Sequence, residues 1–267
     1  MNRLKQFLVP AYMQVYKIYT LYISPYKYVK DKYSDSFVSK VHKVKAHLSK
    51  AEEVIYVFWT GNNILTPNRK IGLQSLKENS GVNVKLITPK NIDEYLIKEY
   101  PLHDGYKYLS LIQKSDYLRC YFMLHHGGGY ADIKPCLRSW KNLFYELNKN
   151  RNKWCIGPRE KYVGCVAHVK GAIGLDIKKY HNNLINNGAF IYKPNSPICK
   201  EWMKEIHARM DFYLPELIKN PGGIFDEGNY PIPWAYLAGH LMHPLVLKYH
   251  ERIIPKDIKL YSNKNYR

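Results

Sequence analysis

Apolar side chains recur with helical spacing in the segment that precedes three consecutive glycines at residues 127–129. The apolar positions of this segment are Leu109, Ile112, Tyr117, Leu118, Tyr121, Phe122 and Leu124. This spacing is typical of an α-helix with one apolar face, and glycine readily takes the left-handed conformation that ends a helix. The pattern therefore predicts a helix that stops at Gly127 and a short strand over residues 130–133, which Pro135 interrupts.

Blocks of β-branched and aromatic residues predict further strands on both sides of this segment. They cover residues 53–59 and 82–88 before it, and residues 154–157, 189–192 and 258–261 after it. Helices are predicted at residues 67–78, 92–100 and 196–210, and in a segment holding Trp234 through His243. Strands that alternate with helices in this way favour a parallel sheet with crossover helices, so we expect an α/β fold.

Charged side chains fall where such a fold binds its ligands. Asp132 ends the short strand, and open α/β sheets bind ligands at the carboxyl edge of their strands. Asp116 and Arg119 are three residues apart on one face of the predicted helix, so they can address one ligand together. No GxGxxG motif follows the first strand, which argues against a dinucleotide site.

Residues 1–50 form a basic extension ahead of the main domain, which we place at residues 51–267. Lysine is mixed there with tyrosine and aliphatic residues, and the only acidic residues are Asp31 and Asp35. This composition suits an amphipathic helix on an anionic bilayer. It suits equally well a helix that packs on the main domain and exposes a solvated basic face, so both interpretations stay open.

Composition narrows the class of protein further. Of the 267 residues, 46% are hydrophobic, which excludes a mainly disordered chain. The formal charge of +19 suggests nucleic acid, an anionic membrane face or a phosphorylated substrate as partner, although lysine-rich coding bias would give the same charge. Five dispersed cysteines fit reduced thiols. Neither a membrane-spanning run nor a secretory signal is recognisable, so we expect a cytoplasmic protein, peripheral to the membrane if it binds one.

Several runs resemble one family pattern. The runs SDYLR at residues 115–119 and GGGYAD at residues 127–132 resemble the text SDxxRxxxLxxxGGxYxDxD of DXD-type sugar transferases. These are the capsular polysaccharide synthesis proteins, the yeast initiating mannosyltransferases and the large clostridial glucosylating toxins. FWTG at residues 58–61 and NGAF at residues 187–190 are similar to two further blocks of these families, in the same order. The resemblance covers residues 53–210, approximately.

The resemblance implies a GT-A (Rossmann-like) fold with a mixed, mostly parallel sheet, a nucleotide-sugar donor, and transfer with retention of anomeric configuration. By position, the donor-binding residues would be Trp59, Thr60, Gly61, Asp116, Arg119, Tyr130 and Asp132. Trp59 would stack the base, with Thr60 and Gly61 beside the base and ribose. Asp116 and Arg119 would hold sugar hydroxyls. Tyr130 would support Asp132, which would contact the ribose, the sugar and the diphosphate–metal region.

The chain departs from the family pattern at Lys134, which stands where the second Asp of DxD often binds the metal directly. An ammonium group cannot coordinate a cation. The departing diphosphate still needs positive charge, from Mn²⁺ or Mg²⁺ or from Lys134 itself. We expect Asp132, Arg119 and Lys134 to be the catalytic residues, and we favour a divalent cation on Asp132. Further candidate ligands for that cation are Asp226, Glu227, His240 and His243.

The late, Gly- and Pro-rich loop supplies the candidates for acceptor binding, which are Asp226, Glu227, Trp234 and His240. Each candidate also has a plainer structural interpretation. Trp59, Trp234 and the histidines could be core residues, and Asp116 with Arg119 could be a surface ion pair. Asp226 and Glu227 could merely solvate the loop.

The sequence therefore predicts a retaining glycosyltransferase of the hexosyltransferase type. It would use a UDP- or GDP-sugar to extend a glycan or lipid-linked glycan acceptor in surface polysaccharide or glycoconjugate synthesis. One alternative is a catalytically silent homologue in which Lys134 has abolished metal binding. Another is a basic nucleic-acid-binding module. The latter explains the charge but neither the glycine turn nor the pairing of Asp116 with Arg119, so we do not expect nucleic acid as the partner.

Overall fold

The computed structural model of the protein describes residues 3–40, 48–224 and 228–264. Within these residues, six strands form one sheet in the order β2-β1-β3-β5-β4-β6. The strands are β1 (Val54–Phe58), β2 (Asn83–Ile87), β3 (Gly128–Ala131), β4 (Cys155–Pro158), β5 (Ala189–Tyr192) and β6 (Ile253–Lys256). The pairs β1–β2, β1–β3 and β4–β6 are parallel, and β5 runs antiparallel to β3 and β4. The sheet is thus mixed and mostly parallel, which confirms the predicted fold class.

Helices cover both faces of this sheet. They are α1 (Arg3–Ile18), α2 (Pro67–Asn79), α3 (Leu111–His125), α4 (Lys141–Lys149), α5 (Gly171–Lys179), α6 (Pro197–Lys219) and α7 (Gly239–Lys248). Successive side chains of a strand point to opposite faces. Accordingly, Tyr56 and Phe58 of β1 pack in one apolar cluster with Phe122 of α3, whereas Ile55 and Val57 pack in a second cluster with residues of α2 and α4.

The turn between α3 and β3 follows from its glycines. Ser110 caps the start of α3 by accepting a hydrogen bond from the backbone N–H of Gln113 at 3.2 Å. At the other end, Gly127 and Gly128 have φ values of +68° and +88°, a conformation that strains any residue with a Cβ. Only His126 and Gly127 separate the end of α3 from the start of β3. Because β3 ends at Ala131, Asp132 directly follows the strand.

Two of the predicted elements are wrong. Residues 92–100 contain only a 3₁₀ turn at Ile92–Tyr95, and the Asn91 side chain accepts from the backbone N–H of Thr88 and does not cap a helix. The last strand is β6, and Tyr261 of the predicted strand over residues 258–261 forms only an isolated bridge to Cys136.

Two helix boundaries also differ from the prediction. α7 starts at Gly239 and not near Trp234, because Ala235 has a φ of 58° and cannot belong to a right-handed helix. α6 continues past residue 210 to Lys219.

The N-terminal helix lies on the main domain. α1 continues into a π-helix at Tyr19–Ile23. The hydroxyl of Tyr16 donates to the carbonyl of Lys179 at 2.9 Å, and Lys17 Nζ lies 2.7 Å from Asp257 Oδ2. The helix thus has one face fixed to α5 and to the segment after β6. Among the helices in the described ranges, none combines the length and apolar character needed to cross a bilayer.

Candidate functional site

The candidate site lies where several strand ends meet at one edge of the sheet. In β1 and β3, Ile55 lies opposite Gly129 and Tyr56 opposite Tyr130 in parallel register. The two strands therefore reach the same edge with their carboxyl ends side by side. β5 runs antiparallel and begins at this edge, where the carbonyl of Gly188 accepts the backbone N–H of Asp132 at 2.8 Å. Residues 59–61, 132–134 and 186–188 converge there as a result.

Four charged side chains form the centre of the site. Arg119 Nη2 lies 3.3 Å from Asp116 Oδ1 and 3.7 Å from Asp132 Oδ1. Lys134 Nζ lies 2.9 Å from Asp132 Oδ2. Asp116 is only 4% exposed and Lys134 only 8%. We call Asp116, Arg119, Asp132 and Lys134 the charge cluster. Its two carboxylates and two cations balance in formal charge, as buried charges require.

Tyr130 contacts both Asp132 and Arg119 and so fixes their relative positions. Its hydroxyl donates to Asp132 Oδ1 at 2.7 Å, and the Arg119 guanidinium lies 4.5 Å from the centre of its ring. Phe58 of β1 stacks on the same ring at 5.5 Å. Tyr130 and Asp132 are two residues apart, so their side chains lie on one side of the chain, and Lys134 contacts Asp132 after a bend at residues 133–134. The tyrosine thus couples the apolar core to the charge cluster.

Asp132 is held in its ionised form. Burial alone would raise the pKa of this carboxyl group, but the charges of Arg119 and Lys134 and the hydrogen bond from Tyr130 together outweigh burial. The pKa of Asp132 therefore lies below its ordinary value. The Asp132 carboxylate can therefore accept hydrogen bonds from hydroxyl or ammonium groups. It also keeps the Arg119 guanidinium and the Lys134 ammonium close to each other.

Residues 186–188, just before β5, form a wall of the site beside Asp132. Asn186 Oδ1 accepts from the backbone N–H of Gly188 at 2.7 Å and from the hydroxyl of Tyr261 at 2.5 Å. A Cβ on Gly188 would lie 2.9 Å from Asp132 Oδ2 and 3.1 Å from the Tyr261 hydroxyl, so the wall tolerates only glycine there. The Tyr261 ring centre is 4.4 Å from Lys134 Nζ. Sequence reasoning assigned no role to Asn186 or Tyr261, which reach the site only through the long-range pairing of the sheet.

Glu160 is a third residue that sequence reasoning missed. It is 3% exposed, and its Oε1 accepts from Asn186 Nδ2 at 2.9 Å. Burial raises the pKa of Glu160 to about 7, although the bond from Asn186 lowers it somewhat. His243 Nε2 lies 4.0 Å from the same oxygen, and burial lowers the pKa of that imidazole to about 4. Through Asn186, a carboxyl group that titrates near neutral pH thus supports the wall beside Asp132.

The raised pKa of Glu160 gives a testable pH dependence. The unfolded chain ionises this group near pH 4.5, the folded chain near 7, so its contribution to stability is present below pH 4.5 and is lost as pH rises to about 7. His243 changes stability in the opposite direction below about pH 6.5. As the pH rises from 4.5 to 8, we expect the free energy of unfolding of wild type to fall by up to about 3 kcal/mol relative to that of Glu160→Gln.

Urea unfolding at several pH values in this range measures that difference. The exposed Glu94→Gln serves as the matched control and should follow the wild type at every pH. A pH profile of Glu160→Gln parallel to that of wild type would show that Glu160 is ionised in the folded protein.

Residues 59–61 lie beside the charge cluster. Trp59 is half-buried, and its indole N–H donates to the carbonyl of Asn63 at 2.6 Å, which fixes the ring. Thr60 Oγ1 donates to the carbonyl of Leu111 at 2.6 Å, at the start of α3. Gly61 has no room for a side chain, since a Cβ would meet Leu111 at 2.8 Å. The three residues therefore form a rigid shelf ahead of Asp116.

The late-loop candidates have different surroundings. Trp234 is 63% exposed, and the preceding Pro233 is tied to α3 because Gln113 Nε2 donates to its carbonyl at 3.1 Å. His240 contacts the Tyr236 ring at 5.7 Å. His243 is buried and accepts the backbone N–H of Ala167 on Nδ1 at 3.0 Å. Asp226 and Glu227 lie outside the described residues. Among the described late-loop candidates, only Trp234 is largely exposed.

The charge cluster fits a bound divalent cation poorly. Both oxygens of Asp132 already accept, Oδ1 from Tyr130 and Oδ2 from Lys134 Nζ at 2.9 Å. A metal about 2.1 Å from either oxygen would be repelled by the Lys134 ammonium and the Arg119 guanidinium. In the described part of the chain, no three His, Cys, Asp or Glu side chains are arranged to hold a metal ion. The described donor set thus suits a fixed ammonium better than a metal.

A separate cavity of about 670 Å³ lies between α3 and α6. Tyr117, Tyr121 and His125 line it. At 100° per residue these positions lie on the opposite face of α3 from Asp116 and Arg119. The cavity is therefore not part of the charge cluster.

The sheet topology, with a charge cluster at its carboxyl edge, defines an α/β protein consistent with the GT-A (Rossmann-like) class. The profile of the family described as capsular polysaccharide synthesis protein matches residues 16–149, half of this 267-residue chain. The chain belongs to this family, which confirms the resemblance to its capsular members. No curated protein matches the chain significantly. Membership supports a glycosyltransferase role in polysaccharide synthesis, and the matched residues include the whole charge cluster.

Proposed function

We propose that the protein is a retaining glycosyltransferase that moves a sugar from a UDP- or GDP-sugar to a hydroxyl group of a glycan or lipid-linked glycan. The observation that carries this proposal is the charge cluster itself, at the carboxyl edge of β1 and β3 in a member of the capsular polysaccharide synthesis family. A surface ion pair would not need four charges linked one to the next and mostly buried, with a tyrosine and a glycine fitted around them.

The donor would bind along the sheet edge. The fixed indole of Trp59 offers a flat surface for the base, with the backbone of residues 60–61 beside the ribose. Asp116 and Arg119 are positioned on one helix face to hold hydroxyl groups of the sugar. Asp132, ionised and pointing between Arg119 and Lys134, would contact the ribose or sugar where they join the diphosphate.

The transfer step moves negative charge onto the diphosphate. The bond from the anomeric carbon to the phosphate oxygen breaks, and its electron pair stays with that oxygen. The acceptor hydroxyl oxygen bonds to the anomeric carbon on the same face of the sugar and gives its proton to the departing diphosphate. Fixed cations near the leaving oxygen lower the barrier because they need no reorganisation when the charge appears. Arg119 and Lys134 are the cations that the described site offers.

The acceptor would approach from the side of the late loop. Trp234 exposes its indole there, next to the loop segment that Gln113 anchors to α3. An exposed tryptophan is a common stacking surface for a sugar ring, since its face is apolar and its N–H can donate. This position would leave the donor on the shelf of residues 59–61 and the acceptor across the opening of the site.

Thermal-shift measurements with a panel of UDP- and GDP-sugars, with and without Mn²⁺, test the proposal. A ligand at a hundred times its Kd stabilises the fold by about 2.7 kcal/mol, so the true donor should raise the Tm visibly. Donor hydrolysis is then measured with that compound. If no nucleotide sugar raises the Tm, the proposal is wrong. Stabilisation without any release of sugar would identify a catalytically silent homologue instead.

A further inference from the structure

Lys134 is held rigidly at the position from which the family's second acid would bind a metal. Its Nζ lies 2.9 Å from Asp132 Oδ2 and 4.4 Å from the centre of the Tyr261 ring. The backbone is fixed as well, because Arg69 Nη1 donates to the carbonyl of Ile133 at 3.0 Å. Gly72 of α2 lies so close to this segment that a Cβ on it would be 3.1 Å from the backbone nitrogen of Lys134. A flexible surface lysine would show none of these restraints.

The charges around Lys134 are already balanced. Asp116 and Asp132 offset Arg119 and Lys134, so a divalent cation would add two further positive charges beside two existing ones. At short range in a mostly buried site, such repulsion is poorly screened by solvent. By contrast, an ammonium group is a compact charge that can stabilise phosphate oxygens without any metal.

We propose that the Lys134 ammonium takes over the task of the divalent cation, so that donor binding and transfer proceed without a bound metal. This inference rests on the proposed function. When the bond from the anomeric carbon to the diphosphate breaks, the electron pair on the leaving oxygen is stabilised by the Lys134 charge. Lys134 stays protonated throughout, and the acceptor proton still goes to the diphosphate. Tyr261 and Asp132 keep the ammonium in place between turnovers.

The test compares wild type with three variants at Lys134, namely Lys134→Met, Lys134→Arg and Lys134→Asp. Wild type should turn over equally well in EDTA and in Mn²⁺. Lys134→Met should lose about tenfold or more in kcat, as expected when a charge-stabilising group is removed, and Lys134→Arg should retain most of it. Lys134→Asp restores the DxD motif, so this variant should show no turnover in EDTA and should regain turnover with Mn²⁺. The exposed Lys90→Met is the matched control and should behave as wild type.

Metal binding gives a readout that does not depend on activity. Titration of Mn²⁺ followed by electron paramagnetic resonance, with UDP or GDP present, should show a bound ion for Lys134→Asp and none for wild type. A Mn²⁺ ion bound to wild type together with loss of turnover in EDTA would overturn the inference. If a nucleotide sugar raises the Tm of wild type only in the presence of Mn²⁺, the inference fails and the proposed function stands. If none does under either condition, the proposed function itself fails.

A second, independent observation concerns the outer face of the N-terminal helices. The inner residues of α1 contact the main domain through Tyr16 and Lys17. Large apolar residues of α1 and the π-helix are exposed to solvent, namely Val9, Tyr12, Val15, Tyr19, Tyr22 and Ile23. Tyr22 is 77% exposed and Ile23 70%. We call these six residues the apolar face. A solvated helix would carry polar side chains at such positions.

Basic residues border the apolar face. Lys27 and Lys30 follow it in the chain and are exposed. Lys178 and Lys179, also exposed, lie in the last turn of α5, where Tyr16 bonds to the carbonyl of Lys179. Tyrosine and aliphatic side chains with lysines at their edge match the boundary between headgroups and acyl chains of an anionic bilayer.

We infer that the apolar face docks on an anionic membrane surface, with the lysines contacting lipid phosphates. Vesicles of phosphatidylcholine with and without phosphatidylglycerol serve as probes in a co-sedimentation assay. The full chain should bind the anionic vesicles about tenfold or more tightly than the neutral ones. Replacing Tyr12, Val15 and Tyr22 together by Ser should remove most of this binding. The matched control replaces Ile64 and Ile71, which are exposed just before and within α2, by Ser and should bind as wild type.

Light scattering separates this inference from self-association. If wild type forms a dimer without lipid and the triple Ser variant is monomeric, the apolar face is an interface between two copies and the membrane inference is wrong. Equal vesicle binding by wild type and the triple variant would overturn it as well.

Discussion

Replacing Asp132 by Ala is expected to lower the turnover by at least about a hundredfold, the scale for removing a group that stabilises transition-state charge. Asp132 contacts Tyr130, Arg119 and Lys134 at once, so its loss releases both cations from their fixed positions. The near-isosteric Asp132→Asn keeps the bond from the Tyr130 hydroxyl but removes the charge. It should therefore be almost as slow while folding normally. The measurement is kcat for release of sugar from the nucleotide-sugar donor.

Two comparisons separate this effect from loss of the fold. The Tm of Asp132→Asn should stay close to that of wild type, and the exposed Asp93→Asn should keep full turnover. If Asp132→Ala and Asp132→Asn both turn over as fast as wild type, Asp132 is a structural turn residue and the site assignment is lost.

The pattern of apolar residues predicted the secondary structure correctly where neighbouring residues in the sequence determine it. The helix over α3, the glycine turn and a short strand after it all follow from spacing within about twenty residues, and the structure contains them. The strand, however, is Gly128–Ala131 and not the predicted residues 130–133, so it begins within the glycine run and ends before Asp132. These elements are local in sequence, so they could be predicted without knowledge of the fold.

The errors arose where distant contacts override local preference. Residues 92–100 have helical periodicity, but the Tyr121 hydroxyl accepts the backbone N–H of Ile97 at 2.9 Å and donates to the carbonyl of Tyr100 at 2.8 Å. These bonds hold the segment in a turn. β6 likewise forms at Ile253–Lys256 because it can pair in parallel with β4, and Pro255 is tolerated because β6 is an edge strand.

The missing members of the site have the same origin. Glu160, Asn186 and Tyr261 come from three separate segments, and only the pairing of β4, β5 and their neighbours brings them behind Asp132. The one local signal was the run Asn-Asn-Gly at residues 186–188, which predicts a turn but not that the turn would form a wall of the site. A carboxyl group with a raised pKa near a cleft is a pointer to function, but it requires the structure to be seen.

Arg119 is the residue whose replacement should combine the second-largest loss of turnover with a change in pH dependence. Its guanidinium contacts Asp116, Asp132 and the carbonyl of Asn187, the last at 3.3 Å from Nη1. A planar group with five N–H donors can satisfy partners in several directions, which a lysine cannot. We expect Arg119→Ala to lower kcat at least about a hundredfold. Arg119→Lys keeps the charge but loses the bridging geometry, so its rate should lie between those of Ala and wild type.

The pH profile distinguishes a functional role from a structural one. Burial raises the pKa of Asp132, and the charges of Arg119 and Lys134 together hold it below its ordinary value. Without Arg119 the pKa of Asp132 should rise, so the acidic limb of the profile of kcat/KM should move to higher pH in Arg119→Ala and less so in Arg119→Lys. A lower rate with an unchanged profile would mean that Arg119 only supports the fold. Rates equal to wild type in both variants would remove Arg119 from the site, and with it the argument that the charge cluster binds the donor.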